Sequence, residues 1–101
     1  MILYNITIKV EHSIAQDWQK WMLSNHMPQV LATGCFNSSR LYQLLEVDDS
    51  DGLTFSVQYT APTEELYNRY ITEFADSMRK ITLDTWGNRY IAFRSAMRLV
   101  Q

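Results

Sequence analysis

Apolar and polar positions alternate over residues 2–10, with Ile2, Tyr4, Ile6, Ile8 and Val10 on one side and Leu3, Asn5, Thr7 and Lys9 on the other. A period of two predicts a strand with one well-buried face. The period then lengthens: Ile14, Trp18, Trp21 and Met22 follow the i, i+4, i+7, i+8 spacing of a helix over residues 13–32. Ser13, with Gln16 three residues on, has the pattern of a capping box. Pro28 lacks a backbone donor and its ring clashes with the carbonyl of Ser24. The helix is therefore expected to kink or stop near Ser24–Met27, resume as a short turn through Leu31, and end at Gly34. Residues 35–47 read as a second strand of poor alternation, which predicts a bulge or sharp twist near Ser38–Arg40. Asp48-Asp49-Ser50-Asp51-Gly52 is the strongest turn signal in the chain.

A third strand is predicted over residues 53–60, where Leu53, Phe55, Val57 and Tyr59 alternate with Thr54, Ser56, Gln58 and Thr60. Thr63 caps a second helix, and Glu64 and Glu65 in its first turn suit the helix dipole. Its apolar stripe is Leu66, Tyr70, Phe74, Met78 and Ile81, running to about Asp84 or Thr85 before Gly87 or Asn88 stops it. Residues 89–100 form a fourth strand, with Ile91, Phe93, Met97 and Leu99 opposite Tyr90, Ala92, Arg94, Ala96 and Arg98. The order βαββαβ matches the ferredoxin-like split βαβ arrangement, an α+β fold. Right-handed crossovers put both helices on one face of a four-stranded antiparallel sheet of order 4-1-3-2 or similar. The other face stays bare and partly apolar, and patches of that kind mark association. Two-fold symmetry is the commonest way to bury such a patch against its own copy, so a homodimer through the open sheet face, closing a barrel, is expected.

Composition narrows this without naming a function. A chain of 101 residues that is 47% hydrophobic and 20% charged is expected to form a single domain, residues 1–101, with a real core. The net charge is −2 and the basic residues are scattered, so no stripe for nucleic acid is present. No apolar stretch reaches 18 residues, and a mildly acidic chain has no pull toward anionic membranes. Cys35 is the single cysteine, which forbids an internal disulfide and points to a reducing cytoplasm. Two histidines and one cysteine without close spacing argue against a metal site, and there is no P-loop or GxGxxG, so no cofactor is expected. The acidic cluster Asp48, Asp49 and Asp51 lacks a calcium-loop pattern and reads as a solvated hairpin tip.

Three groups of residues could carry chemistry. Trp18, Trp21 and His26 near Pro28 would form a pocket between the first helix and the sheet, with a tryptophan wall and His26 at its mouth. The alternative is that the tryptophans are core and His26 caps the broken helix. Asn5, Arg40, Tyr42, Ser56, Gln58 and Arg94 are polar residues within strands. A partly buried arginine needs a carboxylate or a bound anion, which suggests recognition of a carboxylate or phenolate. A polar, water-filled seam inside a dimer interface accounts for them equally well. Cys35 near His26 could be a nucleophile, but no established Cys-His signature is present and a buried packing thiol explains it better.

The strand Met-Ile-Leu-Tyr-Asn-Ile-Thr, then Trp18-x-x-Trp21-Met22-x-x-x-His26-x-Pro28, then Leu31-Ala32-Thr33-Gly34-Cys35-Phe36, resemble an uncharacterised bacterial family known only as a domain of unknown function. The resemblance continues through Ser56-Val57-Gln58-Tyr59 and Ala92-Phe93-Arg94 and covers nearly the whole chain. It implies the fold of the dimeric α+β barrel proteins, which include cofactor-free monooxygenases of antibiotic biosynthesis and haem-degrading monooxygenases. Some of those monooxygenases place an Asn, a Trp and an Arg around an aromatic substrate, and Asn5, Trp86 and Arg94 are residues of those types. Fold alone does not fix function. Three readings therefore stand: a homodimeric module binding a small organic ligand, a cofactor-independent oxygenase acting on a small aromatic substrate, and a purely structural association domain. Pocket volume and lining discriminate among them.

Overall fold

The computed structural model describes all residues, 1–101. Strand β1 spans Ile2–Val10, with the boundaries that its alternation predicts. A 3-10 turn, His12–Ile14, leads into α1, Ala15–Trp21, a π-helical turn, Met22–His26, and α2, Met27–Ala32. Strand β2 is Ser38–Gln43 and β3 is Leu53–Ala61. Helices α3, Glu64–Glu73, and α4, Ala75–Trp86, precede β4, Tyr90–Arg98. The sheet order is β2-β3-β1-β4 with every neighbour antiparallel, so the fold is α+β and ferredoxin-like, as the element order predicts. No helix is long and apolar enough to cross a membrane.

Pro28 does not stop the first helix. The backbone takes in one extra residue, and the Met27 N–H donates to the carbonyl of Met22, five residues back. This resets the ladder so that Pro28 sits in the first turn of α2, where no intrahelical donor is required. The expected kink is thus resolved as a π turn, a device often found at functional sites. Ser13 makes no capping hydrogen bond, because the chain enters the helix through the 3-10 turn after Glu11 instead. Gly34 does end the segment, at φ 81°.

The second strand is shorter than its apolar content suggests. Its register with β3 runs unbroken from Ser38↔Thr60 to Gln43↔Phe55, so the expected bulge is absent. The poor alternation arises because Leu44 and Leu45 lie beyond the strand, and Glu46 at φ 58° turns the chain away. Thr63 caps α3 as predicted, accepting from the Leu66 N–H at 3.2 Å. The second helix is not continuous: it breaks at Phe74, whose backbone leaves the helical region at φ −124°.

Parity along β1 divides the sheet. Ile2, Tyr4, Ile8 and Val10 are buried under the helices together with Phe55, Val57, Tyr59 and Ala61 of β3. Trp18, fully buried, packs on Phe55 with ring centroids 5.0 Å apart. Phe36 seals the far end, 4.8 Å from Tyr70 and 5.3 Å from Tyr59. On the other face, Ile91, Phe93 and Met97 of β4 remain exposed, Ile91 at 76%.

The turn between β2 and β3 is held from outside: Lys9 pairs with Asp51, and a ring nitrogen of His12 lies 2.7 Å from the Asp49 carbonyl oxygen. Gly52 lies so close to the Val10 carbonyl that a Cβ there would overlap it. Gly52→Ala is expected to lower stability by about 1–3 kcal/mol through this overlap. The urea midpoint of the variant measures it, and an unchanged midpoint would refute the close approach.

Candidate functional site

A cleft opens between the helical layer and the sheet. From the sheet it is lined by Tyr4, Ile6, Tyr59, Tyr90 and Arg94, and from the helices by Met22, His26, Met78, Arg79 and Thr82, among others. Register explains the sheet half. Ile6 pairs with Arg94 and Val10 with Tyr90, so Arg94 and Tyr90 share the helix-covered face with Tyr4. The helical half comes from the π turn, which presents Met22 and His26, and from α4, where Met78 and Thr82 are one turn apart. The enclosed volume is about 30 Å³, room for about one water. Arg79 and Arg94 are both exposed, so the cleft meets solvent at two guanidinium groups.

His26 is 8% exposed. Its ring stacks on Trp21 at 4.7 Å and 15°, and Trp86 meets Trp21 edge-on at 5.8 Å. Its Nε2 lies 3.4 Å from Thr82 Oγ1, and that hydroxyl is 3.3 Å from the Met78 carbonyl oxygen. A hydroxyl that donates to Met78 accepts from an Nε2–H of His26, and this tautomer leaves Nδ1 as a bare acceptor. Nδ1 is buried without a partner, as is the hydroxyl of Tyr59. Burial lowers the His26 pKa to about 4. It raises the phenol of Tyr59 far above its usual range, with nearby Tyr70 and Tyr4 adding to the shift.

Charge in the cleft has one sign. Arg79 donates from Nη2 to the Tyr4 hydroxyl at 3.2 Å. Neither Arg79 nor Arg94 forms an ion pair, and no carboxylate lines the cleft. No group of three or more His, Cys, Asp or Glu side chains is placed to hold a metal ion.

The residues singled out from sequence divide among three places. His26 and Arg94 line the cleft together. Trp21 and Trp86 pack behind His26 rather than forming a wall, and Trp18 lies in the core against Phe55. Asn5, Arg40 and Tyr42 stand on the opposite, open face of the sheet, together with Ser56 and Gln58. Asn5 is therefore separated from Arg94 by the thickness of the sheet. There Asn5 Oδ1 accepts from Ser56 Oγ at 2.6 Å, and Asn5 Nδ2 donates to Thr7 Oγ1 at 3.1 Å. Sequence reasoning missed Arg79, Thr82, Tyr4 and Tyr59 as lining residues. Only the alternation of β1 and β3 and the Met78–Thr82 spacing hinted at a shared face.

Residues 1–100 match the family model described as a domain of unknown function, DUF4286, and the chain belongs to that family. No curated protein matches it. Among solved structures it is similar to a protein from Arabidopsis thaliana, at 11% identity and TM-score 0.69, covering 100% of this chain and 99% of that one. It is also similar to a dimeric ferredoxin-like protein from an uncultured marine organism, at 10% identity and TM-score 0.68, covering 100% and 96%. A third neighbour is SnoaB, a cofactor-independent oxygenase from Streptomyces nogalater, at 10% identity and TM-score 0.60, covering 99% and 94%. At these identities the likeness establishes the ferredoxin-like fold alone.

The His26 shift makes a pH prediction with a definite sign. The native pKa of about 4 lies below the usual 6.5, so the folded state holds a neutral ring. Its contribution is complete above pH 6.5 and declines as pH falls toward 4, by roughly 3 kcal/mol in total. His26→Phe, which keeps a ring against Trp21, should flatten that decline relative to wild type. Urea midpoints of both proteins at pH 7 and 4.5 provide the comparison, and parallel losses would exclude His26 as the source.

Proposed function

We propose that this member of the DUF4286 family is a homodimeric small-ligand-binding protein that takes up a small organic acid, a carboxylate or phenolate, at the mouth of the helix–sheet cleft. One observation carries the reading: two arginines without ion-pair partners and two buried polar atoms without hydrogen bonds belong to residues around a single cleft that has no carboxylate. An unpaired buried acceptor or hydroxyl costs about 1–3 kcal/mol, a cost that a ligand or an ordered water relieves. Guanidinium groups bind planar oxyanions through paired hydrogen bonds, and the phenols of Tyr4 and Tyr90 flank them with surfaces suited to an aromatic body. The enclosed part admits about one water, so a larger ligand must displace Met22 and Met78, whose thioether side chains are the most adaptable in the lining.

The homodimer is supported by the exposed apolar side chains of β4 on the open face and by a fold neighbour described as dimeric. The oxygenase reading has less behind it. An aromatic substrate sealed from water needs a few hundred Å³, about ten times the enclosed volume here.

Thermal-shift titration with benzoate, salicylate and 4-hydroxybenzoate tests the ligand class. At least one should raise the melting temperature of the wild type, and Arg94→Gln and Arg79→Gln should each weaken its binding about 10- to 100-fold without lowering the ligand-free melting temperature. Binding undiminished in both variants, or no response at millimolar concentration, would overturn the assignment. Light scattering at micromolar concentration should give about twice the 11.9 kDa chain mass, and a monomer would remove the homodimer.

A further inference from the structure

The two ends of the cleft differ in what they can bind. At the inner end, the Thr82 hydroxyl donates to the Met78 carbonyl oxygen and lies 3.4 Å from Nε2 of His26. Nε2 therefore carries the ring hydrogen, and Nδ1 can only accept. Burial holds the ring neutral at pH 7, so Nδ1 keeps its lone pair. Burial also keeps the Tyr59 phenol protonated, and that hydroxyl can donate as well as accept. His26 is 8% exposed and Tyr59 1%, and neither Nδ1 nor the phenol oxygen has a partner. Both side chains line a space with room for about one water. At the outer end, Arg79 and Arg94 are exposed and lack ion pairs. Arg79 stands one turn of α4 from Thr82, and its Nη2 donates to the hydroxyl of Tyr4, the residue that pairs with Tyr59 across the sheet. The cationic mouth and the two buried groups are thus neighbours along both the helix and the sheet.

Resting on the ligand site proposed above, we infer that the ligand is an aromatic hydroxy acid whose hydroxyl is remote from its carboxylate: the carboxylate meets Arg79 and Arg94 at the mouth, and the hydroxyl donates to His26 Nδ1 at the inner end. An acceptor that carries no hydrogen needs a donor, which a plain carboxylate lacks. A charged ammonium supplies one, but it would meet two guanidinium groups and no carboxylate. An amide overfills a space for about one water. A neutral hydroxyl has the volume of a water, and it can donate to Nδ1 while accepting from Tyr59. A hydroxyl ortho to the carboxylate donates to that carboxylate instead and stays beside it at the mouth. A para hydroxyl is free of that internal bond and points away from the guanidinium groups, toward the buried end. The rings of Tyr4, Tyr59, Tyr70 and Tyr90 in the lining suit an aromatic body between the two.

Isothermal titration calorimetry at pH 7 with benzoate, 2-hydroxybenzoate, 4-hydroxybenzoate and 4-methoxybenzoate tests this. 4-Hydroxybenzoate should bind about tenfold more tightly than benzoate or 2-hydroxybenzoate, the effect of one relieved buried acceptor. 4-Methoxybenzoate has the bulk and the oxygen but no donor, and should show no such gain. His26→Phe keeps a ring against Trp21 and removes the acceptor, so the preference for 4-hydroxybenzoate over benzoate should disappear. Tyr59→Phe deletes a single oxygen and should narrow that preference by about threefold, which gives a second variant should His26→Phe fail to fold. Equal binding of benzoate and 4-hydroxybenzoate, a gain shared by 4-methoxybenzoate, a tighter 2-hydroxybenzoate, or a preference that survives His26→Phe would each overturn the inference and leave the acid site standing. No binding of any of the four at millimolar concentration would remove the acid site and this inference with it.

Discussion

The structure depends on the pairing of β1 along its whole length with both β3 and β4. Nine consecutive residues are held in register on each side, from Ile2↔Ala61 to Val10↔Leu53 and from Ile2↔Arg98 to Val10↔Tyr90. Side chains alternate, so a slip of one residue in either pairing would exchange every inward group for an outward one. Tyr4, Phe55, Val57 and Tyr59 form the core floor only in this register. It is also the register that sends Arg94 and Tyr90 into the cleft and sends Phe93 and Ser95 to the open face. The division between the proposed ligand surface and the proposed association surface is thus a consequence of one hydrogen-bond ladder.

The second constraint is local. Pro28 cannot donate, and the chain answers by taking up a residue over Met22–His26 rather than by breaking. The extra residue rotates this turn of the helix, so His26 points inward to stack on Trp21 and reach Thr82 of α4. A histidine with no carboxylate around it, desolvated on a helix face, stays neutral near pH 7 and keeps one nitrogen lone pair free. Its burial costs stability as pH falls, and a purely structural residue of similar shape would avoid that cost. The arrangement fits the proposed ligand site, where this neutral acceptor lines the same cleft as Arg79 and Arg94.

Much of this was legible in the chain. β1 read to the residue because one of its faces is buried and the other is largely polar, which leaves the period unambiguous. The order βαββαβ and the Thr63 cap were equally plain. The bounds of β2 were not, since an edge strand buries little and Leu44 and Leu45 continue its apolar content past the point where Glu46 turns the chain. Pro28 announced a missing donor but not the backbone's response. The candidate site was legible residue by residue and illegible as a set. Asn5 and Arg94 differ in parity relative to the β1–β4 ladder, and that ladder joins residues about ninety positions apart. Arg79 lay hidden because a lone exposed arginine on a helix carries no signal until the strand beneath it is known.

One strand belongs to both proposed surfaces. Arg94 reaches the cleft between Phe93 and Ser95, which stand on the open face, and β4 is an edge with hydrogen-bonding partners only in β1. An edge strand with a row of free backbone groups is the part of a sheet that opens most readily. Covering Phe93 with a second copy would hold the backbone that carries Arg94, and so reduce the conformational cost of fixing a guanidinium against an anion. Linkage is reciprocal: an acid bound at Arg94 would stabilise the strand that the other copy packs against. On the proposed function, the low charge of the open face and the positive mouth of the cleft are two sides of one nine-residue strand, and association and ligand capture would strengthen each other through it.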